Sequence, residues 1–333
     1  MIWKLLAGLV LSAFFLWLAL KDAQLSEVWG AVQAADYTWM VPMVLLTLVS
    51  FLLRTWRWQV LLASAQRVKF WPLLSSTFIG FMGNNVLPAR LGELLRVQAI
   101  RTAAGVSRSA ALGSLVMERI LDISMLLVFF LVVLVAGKLP PEVKSWGIYL
   151  VVVLVPVLAA VIVFRFQPKP FLRILEKVAP GRLRPRLLAM ASNFHVGLGA
   201  LENGRELGLA AFLSVPMWAT LVGVVVCGFR ALSLDLTTEA GVITLVIMAV
   251  GTMVPSAPGF IGTLQYAGTL ALTQYDVDPS VALSFTLLYH ASQWFPVTAV
   301  GLVFFLQQHL SLDQLRGLES AADAADNPKG EGT

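Results

Sequence analysis

Residues 83–96 interrupt an apolar region of the chain with polar and helix-breaking residues. They read Gly83-Asn84-Asn85-Val86-Leu87-Pro88-Ala89-Arg90-Leu91-Gly92-Glu93-Leu94-Leu95-Arg96. Because lipid cannot hydrogen-bond exposed backbone or charge, such residues between membrane segments indicate a specific role. A second interruption reads Pro255-Ser256-Ala257-Pro258-Gly259-Phe260-Ile261-Gly262-Thr263-Leu264-Gln265. The two stretches predict two broken helical elements that face each other among ordinary spanning helices.

The composition is typical of a polytopic membrane protein. Of the 333 residues, 58% are hydrophobic and 13% are charged, and the mean hydropathy is +0.80; soluble domains carry about 25% charged residues. The net charge of +5 fits cytoplasmic loops that collect Lys and Arg, which favours anionic lipid over nucleic acid as a partner. A single cysteine, Cys227, excludes an internal disulfide and a cysteine zinc cluster. We expect no metal, no cofactor and no nucleic-acid partner.

Apolar runs of about 20 residues predict the spanning helices. They are residues 2–20, 40–62, 112–136, 148–166, 207–229 and 281–306. Residues 21–39 predict an interfacial amphipathic helix, residues 167–206 a long basic loop, and residues 311–333 a disordered cytoplasmic tail. The transmembrane domain is therefore expected over residues 1–310. We interpret the first span as a retained helix and not as a cleaved signal sequence.

The basic residues predict the orientation of the chain. Residues 54–69 and 167–206 are rich in Lys and Arg, so both are expected in the cytoplasm together with the two termini. If residues 70–87 crossed fully, the arginines of residues 90–108 would lie outside. This segment is therefore predicted to enter from the cytoplasm, break and return as a re-entrant hairpin. By the same reasoning, residues 242–273 form a second hairpin that enters from outside.

An internal repeat supports two opposed hairpins. The pattern Pro88-x-x-x-Gly92 matches Pro258-x-x-x-Gly262, and residues 106–112 match residues 277–283 at four of seven positions. The predicted topology makes the copies inverted, and inverted repeats with broken helices are typical of transporters that bind substrate between the repeats. We thus predict an all-α polytopic membrane protein, a helix bundle with two opposed re-entrant hairpins and an inverted internal repeat. The copies are about residues 70–136 and 242–308.

The two breaks offer groups that suit an anion. A broken helix leaves unpaired N–H groups whose dipole favours phosphate, and Arg90 and Arg96 could add forked contacts, with Glu93 fixing their rotamers. Alternatively, the arginines snorkel to the interface and the asparagines only cap the broken helix. The residues predicted to bind substrate at the breaks are Asn84, Asn85, Pro88, Arg90, Gly92, Glu93, Arg96, Pro258, Gly259, Gly262 and Gln265.

Ionisable residues inside predicted spans complete the candidate site. Glu118, Arg119 and Asp122 lie on neighbouring positions of one helix, either as an arginine lock between helices or as a polar cavity for proton coupling. His290 lies in the last span and could titrate or simply pack through a hydrogen bond. We include all four among the substrate-binding candidates. The sequence contains no P-loop, GxSxG or HExxH motif, so we expect no catalytic residue and no enzyme activity.

Four stretches carry a family resemblance. NNVLPARLGELLR, GVSRSAALGSLVMERILD, VPSAPGFIGT and VDPSVALSFTLLYHASQWFP resemble the transmembrane domain of lysylphosphatidylglycerol synthases, which also occurs alone in a flippase-like family. The resemblance covers roughly residues 5–308 and implies a membrane protein that moves or presents lipids. Two positions depart from it: Gln265 stands where many members carry Glu, and many members carry an Arg near His290. Because the fused aminoacyl-transferase domain is absent, lysyl transfer is not expected.

Two functions of different classes follow. The leading hypothesis is a lipid flippase or lipid-headgroup transporter of the bacterial inner membrane, which binds an anionic phospholipid or a polyprenyl-phosphate-linked lipid between the hairpins. The alternative is a non-transporting scaffold or regulator of an envelope glycolipid-modifying enzyme. A transporter needs a polar cavity between the hairpins, whereas a scaffold needs only a packed bundle with an exposed cytoplasmic face at residues 167–206. Both functions are compatible with a homo-oligomer.

Overall fold

The computed structural model describes residues 2–87, 90–136, 141–181, 203–254 and 256–308, with a few isolated positions between 184 and 195. Over these residues the chain is helical and has no strand, which confirms the all-α prediction. In chain order the helices are α1 (Ile2–Leu20), α2 (Leu25–Ala34), α3 (Met40–Ala63), α4 (Phe70–Val86), α5 (Gly92–Ala104), α6 (Arg108–Ala136), α7 (Pro141–Phe166), α8 (Pro168–Val178), α9 (Gly204–Ala231), α10 (Thr238–Gly251), α11 (Thr263–Thr273) and α12 (Pro279–Gln307).

The helices follow the predicted elements closely, with one exception. α4 and α5 flank the first interruption, and α10 and α11 flank the second, where a short 3-10 helix runs over Pro258–Phe260. The prediction of one long loop over residues 167–206 was wrong for the eleven residues of α8. There, apolar side chains recur at helical spacing between the prolines, which predicts an amphipathic helix. Pro88 and the predicted tail lie outside the described residues.

Several helices are suited to a membrane. By length and composition, two described segments could each cross it, Tyr37–Ala63 and Gly204–Ala231. A third span is available if the pair Gly8–Leu20 and Leu25–Ala34, bent by 80°, counts as one. α6, α7 and α12 coincide with further predicted spans, and that each of them crosses the membrane stays a prediction.

Glycines allow α4 and α5 to double back on each other at close range. A Cβ built on Gly80 would lie 2.6 Å from the Cβ of Arg96, and one on Gly83 would lie 2.7 Å from the Cα of Gly92. A Cβ on Gly92 would overlap the carbonyl oxygen of Gly80. Small residues of this kind let helix backbones approach where lipid supplies no hydrophobic drive. The two helices therefore form an antiparallel pair, and its re-entry into a membrane stays a prediction.

The same order of elements occurs twice in the chain. α10 and α11 form a second close pair, and a helix of 29 residues follows each pair, namely α6 and α12. Both long helices begin at a polar cap: Ser107 Oγ accepts from the N–H of Ala110, and the Asp278 side chain accepts from the N–H groups of Ser280 and Val281. This order agrees with the predicted repeat, while the inverted relation of the copies stays a prediction.

α3 occupies a central place in the bundle. It packs against α9 along much of its length and also contacts α4, α6 and α12. The largest apolar cluster of the described residues joins α3, α6, α9, α10, α11 and α12, and it includes Met43, Met125, Phe229, Met248 and Phe285. This packing turns the polar side of α3 toward α6, where the candidate site lies.

Candidate functional site

Glu118 of α6 is the centre of a buried ionic network. Its carboxylate is fully buried and receives Arg96 through two contacts of 3.1 Å, one to each oxygen. Arg54 Nη1 reaches Oε1 at 3.2 Å, and Arg119 Nη2 reaches the same oxygen at 2.9 Å. The carboxylate therefore joins α3, α5 and α6.

Asp122 stands one helical turn further along α6 and shares these partners. Arg57 Nη1 lies 2.8 Å from Asp122 Oδ1, and Arg54 and Arg119 each lie 3.5 Å from Oδ2. Arg57 is fully buried, whereas the side chain of Arg119 is 43% exposed. Burying a charge is costly unless it is paired. The ion pairs with Glu118 and Asp122 therefore fix the positions of the buried arginines Arg54 and Arg57.

Arg96 has two further contacts besides Glu118. Its guanidinium carbon lies 3.8 Å from the centroid of the Trp58 ring, and Nη2 lies 3.3 Å from Thr77 Oγ1. The Trp58 indole in turn donates to Ser114 Oγ at 2.8 Å. Glu93 forms no ion pair with any residue that the structure describes. Arg96 is thus fixed by Glu118 and Trp58, and not by Glu93 as the sequence suggested.

The tips of the two helix pairs meet beside this network. Arg90 donates to the carbonyl oxygen of Thr252, directly after α10, and its guanidinium lies 5.4 Å from the centroid of Phe260. Gly259 adopts φ +70°, and a Cβ there would lie 3.3 Å from the carbonyl oxygen of Asn85. The left-handed conformation and the close approach both favour glycine. The first break therefore contacts the second.

A cavity of 380 Å³ lies between these tips and the ionic network. We call it the arginine cavity. Its lining includes Arg54, Asn84, Arg90, Gly92, Glu93, Arg96, Arg119, Asp122, Trp218, Thr252 and Phe260. Together with Arg57 and Glu118 behind the wall, five arginines face three carboxylates. Two positive charges are therefore left uncompensated, which suits an anion.

A second cavity of 210 Å³, the adjoining cavity, shares part of this wall. The shared residues are Arg54, Phe81, Trp218, Ala249, Thr252 and Phe260. Its other polar and aromatic lining residues are Ser50, Phe51, Asn85, Tyr289, His290, Gln293 and Trp294. The two cavities therefore lie side by side, and the charged residues are concentrated around the first of them.

Gln265 and His290 form a neutral pair beside the second break. Gln265 Oε1 accepts from the N–H of Gly262 at 2.7 Å, and Gln265 Nε2 lies 3.0 Å from His290 Nδ1. Because Nε2 of an amide only donates, His290 Nδ1 is the acceptor and the ring proton is assigned to the other nitrogen. Gln265, one of the two departures from the family pattern, therefore contacts the histidine near which the other departure lies.

The structure brings most of the predicted site residues together. Asn84, Arg90, Gly92, Glu93, Arg96, Arg119 and Asp122 line the arginine cavity, and Asn85 and His290 line the adjoining one. Glu118 lies behind the wall. Pro258, Gly259, Gly262 and Gln265 belong to the second break but line neither cavity. Pro88 lies outside the described residues.

Sequence reasoning missed Arg54 and Arg57 as members of the site. It assigned them to a cytoplasmic helix end, whereas Arg54 is 8% exposed and Arg57 is fully buried. A signal was present, since Thr47, Ser50, Arg54 and Arg57 recur at helical spacing within an apolar span. Such a stripe indicates a polar face turned toward the bundle interior.

Comparison with known proteins shows the family to which the chain belongs. Residues 5–301 match the family described as the lysylphosphatidylglycerol synthase TM region, and the chain belongs to this family of membrane proteins. The chain is similar to a UPF0104 membrane protein of Methanocaldococcus jannaschii, with 25% identity over 228 residues, which cover 67% of this chain and 92% of the relative. No solved structure matches the chain.

Proposed function

We propose that the protein is a lipid flippase or lipid-headgroup transporter that binds the phosphate of an anionic lipid in the arginine cavity. The observation that carries this proposal is the uncompensated positive charge around a cavity between the tips of two helix pairs. The ligand is an anionic phospholipid or a polyprenyl-phosphate-linked lipid. The membrane is the inner membrane of a bacterium, with both termini in the cytoplasm.

The arginines have different parts in this proposal. Arg54 and Arg96 are held by Glu118 and form a fixed positive wall. Arg90 hydrogen-bonds only one described partner, the carbonyl oxygen of Thr252, and keeps further N–H donors for phosphate oxygens. Charge-assisted hydrogen bonds from arginine to phosphate are strong and directional. Arg90 is therefore the residue whose loss should affect the ligand more than the fold.

The cavity favours a transporter over a scaffold. A scaffold needs a packed bundle and an outer docking face, and an inner polar cavity with excess charge would only destabilise it. A transporter needs a site between two elements that can move relative to each other. Arg90 bridges the two helix pairs through its hydrogen bond to Thr252 and its contact with the Phe260 ring, and a displacement of either pair would break both.

Lipid translocation in proteoliposomes tests this function. Wild-type protein, Arg90→Gln and Arg101→Gln are reconstituted into vesicles with a fluorescent short-chain phosphatidylglycerol. A quencher that does not cross the membrane is added outside, and translocation is measured as the loss of fluorescence from lipid that began in the inner leaflet. Arg101 is exposed on α5 and serves as the matched control. We expect translocation by the wild type and by Arg101→Gln, and about a tenfold or larger loss for Arg90→Gln. Lipid binding without translocation by the wild type would contradict the transporter and support the non-transporting alternative.

A further inference from the structure

The adjoining cavity differs in chemistry from the arginine cavity that it joins. Arg54 is the one charged residue among its described lining residues, apart from the titratable His290, and no carboxylate faces it. Its wall instead combines aromatic rings from α9 and α12, including Trp218, Tyr289 and Trp294, with neutral polar side chains. A ligand group in this cavity is therefore expected to be neutral.

Several polar groups on this wall have hydrogen-bonding capacity left over. Trp218 Nε1 is buried and has no hydrogen-bond partner among the described residues. Gln293 Nε2 donates to Thr47 Oγ1 at 2.9 Å, which leaves its Oε1 as an acceptor. Asn85 Nδ2 donates to Thr298 Oγ1 at 2.9 Å, which leaves the Asn85 Oδ1 as a second acceptor. A buried donor without a partner, such as Trp218 Nε1, is costly, and Asn85 and Gln293 are half-buried residues that add two acceptors; such a set of groups suits a ligand with hydroxyls.

We infer that the adjoining cavity binds a neutral, sugar-like ring of the lipid headgroup, linked to the phosphate in the arginine cavity. This inference rests on the proposed function. Aromatic side chains pack on the C–H faces of such a ring, while amide and indole groups hydrogen-bond its hydroxyls. The cavity volume of 210 Å³ lies below the range of about 300–1,000 Å³ typical of drug-sized ligands, so the occupant is expected to be a small group such as a single ring.

Two other occupants fit the wall less well. An acyl chain would remove water from the side-chain oxygens of Asn85 and Gln293 without replacing those hydrogen bonds, and it would leave Trp218 Nε1 without a partner. An ammonium group would find aromatic rings, but it would also face Arg54 with no carboxylate beside it. A hydroxylated ring satisfies the polar groups and brings no charge of its own.

A panel of short-chain lipids tests the inference on the purified full chain in detergent. Phosphatidylinositol and phosphatidylmethanol carry the same single phosphodiester charge, and only the first bears a hydroxylated ring. We expect phosphatidylinositol to bind about tenfold tighter or more. In Gln293→Leu this affinity ratio should fall toward one. In Arg90→Gln both affinities should fall and the ratio should persist.

Each other outcome overturns a distinct part of the account. Equal affinity of the wild type for the two lipids would overturn the ring site while the proposed function stands. Tighter binding of phosphatidylcholine than of phosphatidylinositol would identify the aromatic residues as an ammonium cage. Binding of inositol 1-phosphate as tight as that of the lipid would assign the site to a soluble phosphate ester. Binding that does not depend on Arg90 would overturn the proposed function itself.

Discussion

Arg96 and Glu118 are joined by two parallel contacts of 3.1 Å that connect the returning helix of the first pair to α6. Both side chains are buried, so neither charge can turn to water if the other is removed. Loss of one partner of a buried pair typically costs about 3–5 kcal/mol. This pair therefore belongs to the framework of the site as much as to its ligand contacts.

Arg96→Gln is consequently expected to lower the stability of the folded protein. The uncompensated Glu118 carboxylate and the lost stacking on Trp58 both act in this direction. Thermal unfolding in detergent is the measurement. Arg101→Gln, on the exposed side of the same helix, should unfold within about 0.5 kcal/mol of the wild type. Equal stability of the two variants would show that the buried pair does not hold the helices together.

Two arginines that contact Asp122 should differ sharply in their contribution to stability. Arg57 is fully buried and lies 2.8 Å from Oδ1, so Arg57→Met should lower the free energy of unfolding by about 3–5 kcal/mol. The Arg119 side chain is 43% exposed, so Arg119→Met should lower it by about 1 kcal/mol or less. Chemical unfolding of both variants in parallel measures the difference. A larger loss for Arg119→Met would mean that burial does not set the strength of these pairs.

The close approach of α4 and α5 depends on Gly92. Gly92→Ala would place a methyl group against the carbonyl oxygen of Gly80 and the side chain of Asn84, so the pair must separate. We expect a loss of about 1–3 kcal/mol in thermal stability and weaker lipid binding. Gly208→Ala in α9 is the matched control, since its methyl would meet nothing within 4 Å and should stabilise the helix by about 0.5–1 kcal/mol.

Cysteine labelling tests the two hairpins directly. Single cysteines at position 107 or 278, both exposed, are placed in a Cys227→Ala background. The predicted topology puts position 107 in the cytoplasm and position 278 outside, so an impermeant maleimide applied to intact cells should label only position 278. Labelling of position 107 from outside would mean that α4 and α5 cross the membrane and do not return.

Local sequence signals predicted the helices well, whereas the buried ionic network around Glu118 could not be predicted from such signals. The proline and glycine residues of the two breaks marked where α4 and α10 end, because their backbone preferences act within a few residues. The pairing of Arg54 with Glu118 joins positions 64 residues apart, and a single sequence contains no direct record of such a contact. The meeting of Arg90 with Thr252 was anticipated only as two facing breaks, without the atoms involved.

The central claim is that Arg90 binds lipid phosphate in the arginine cavity. The most direct measurement is the affinity of purified Arg90→Gln and Arg101→Gln variants for dioctanoyl phosphatidylglycerol in detergent, at one salt concentration. Loss of charge-assisted contacts worth about 1.5–3 kcal/mol predicts binding weakened roughly ten- to a hundredfold for Arg90→Gln and little changed for Arg101→Gln. Equal weakening of the two variants would show that diffuse surface charge attracts the lipid, and it would contradict the site.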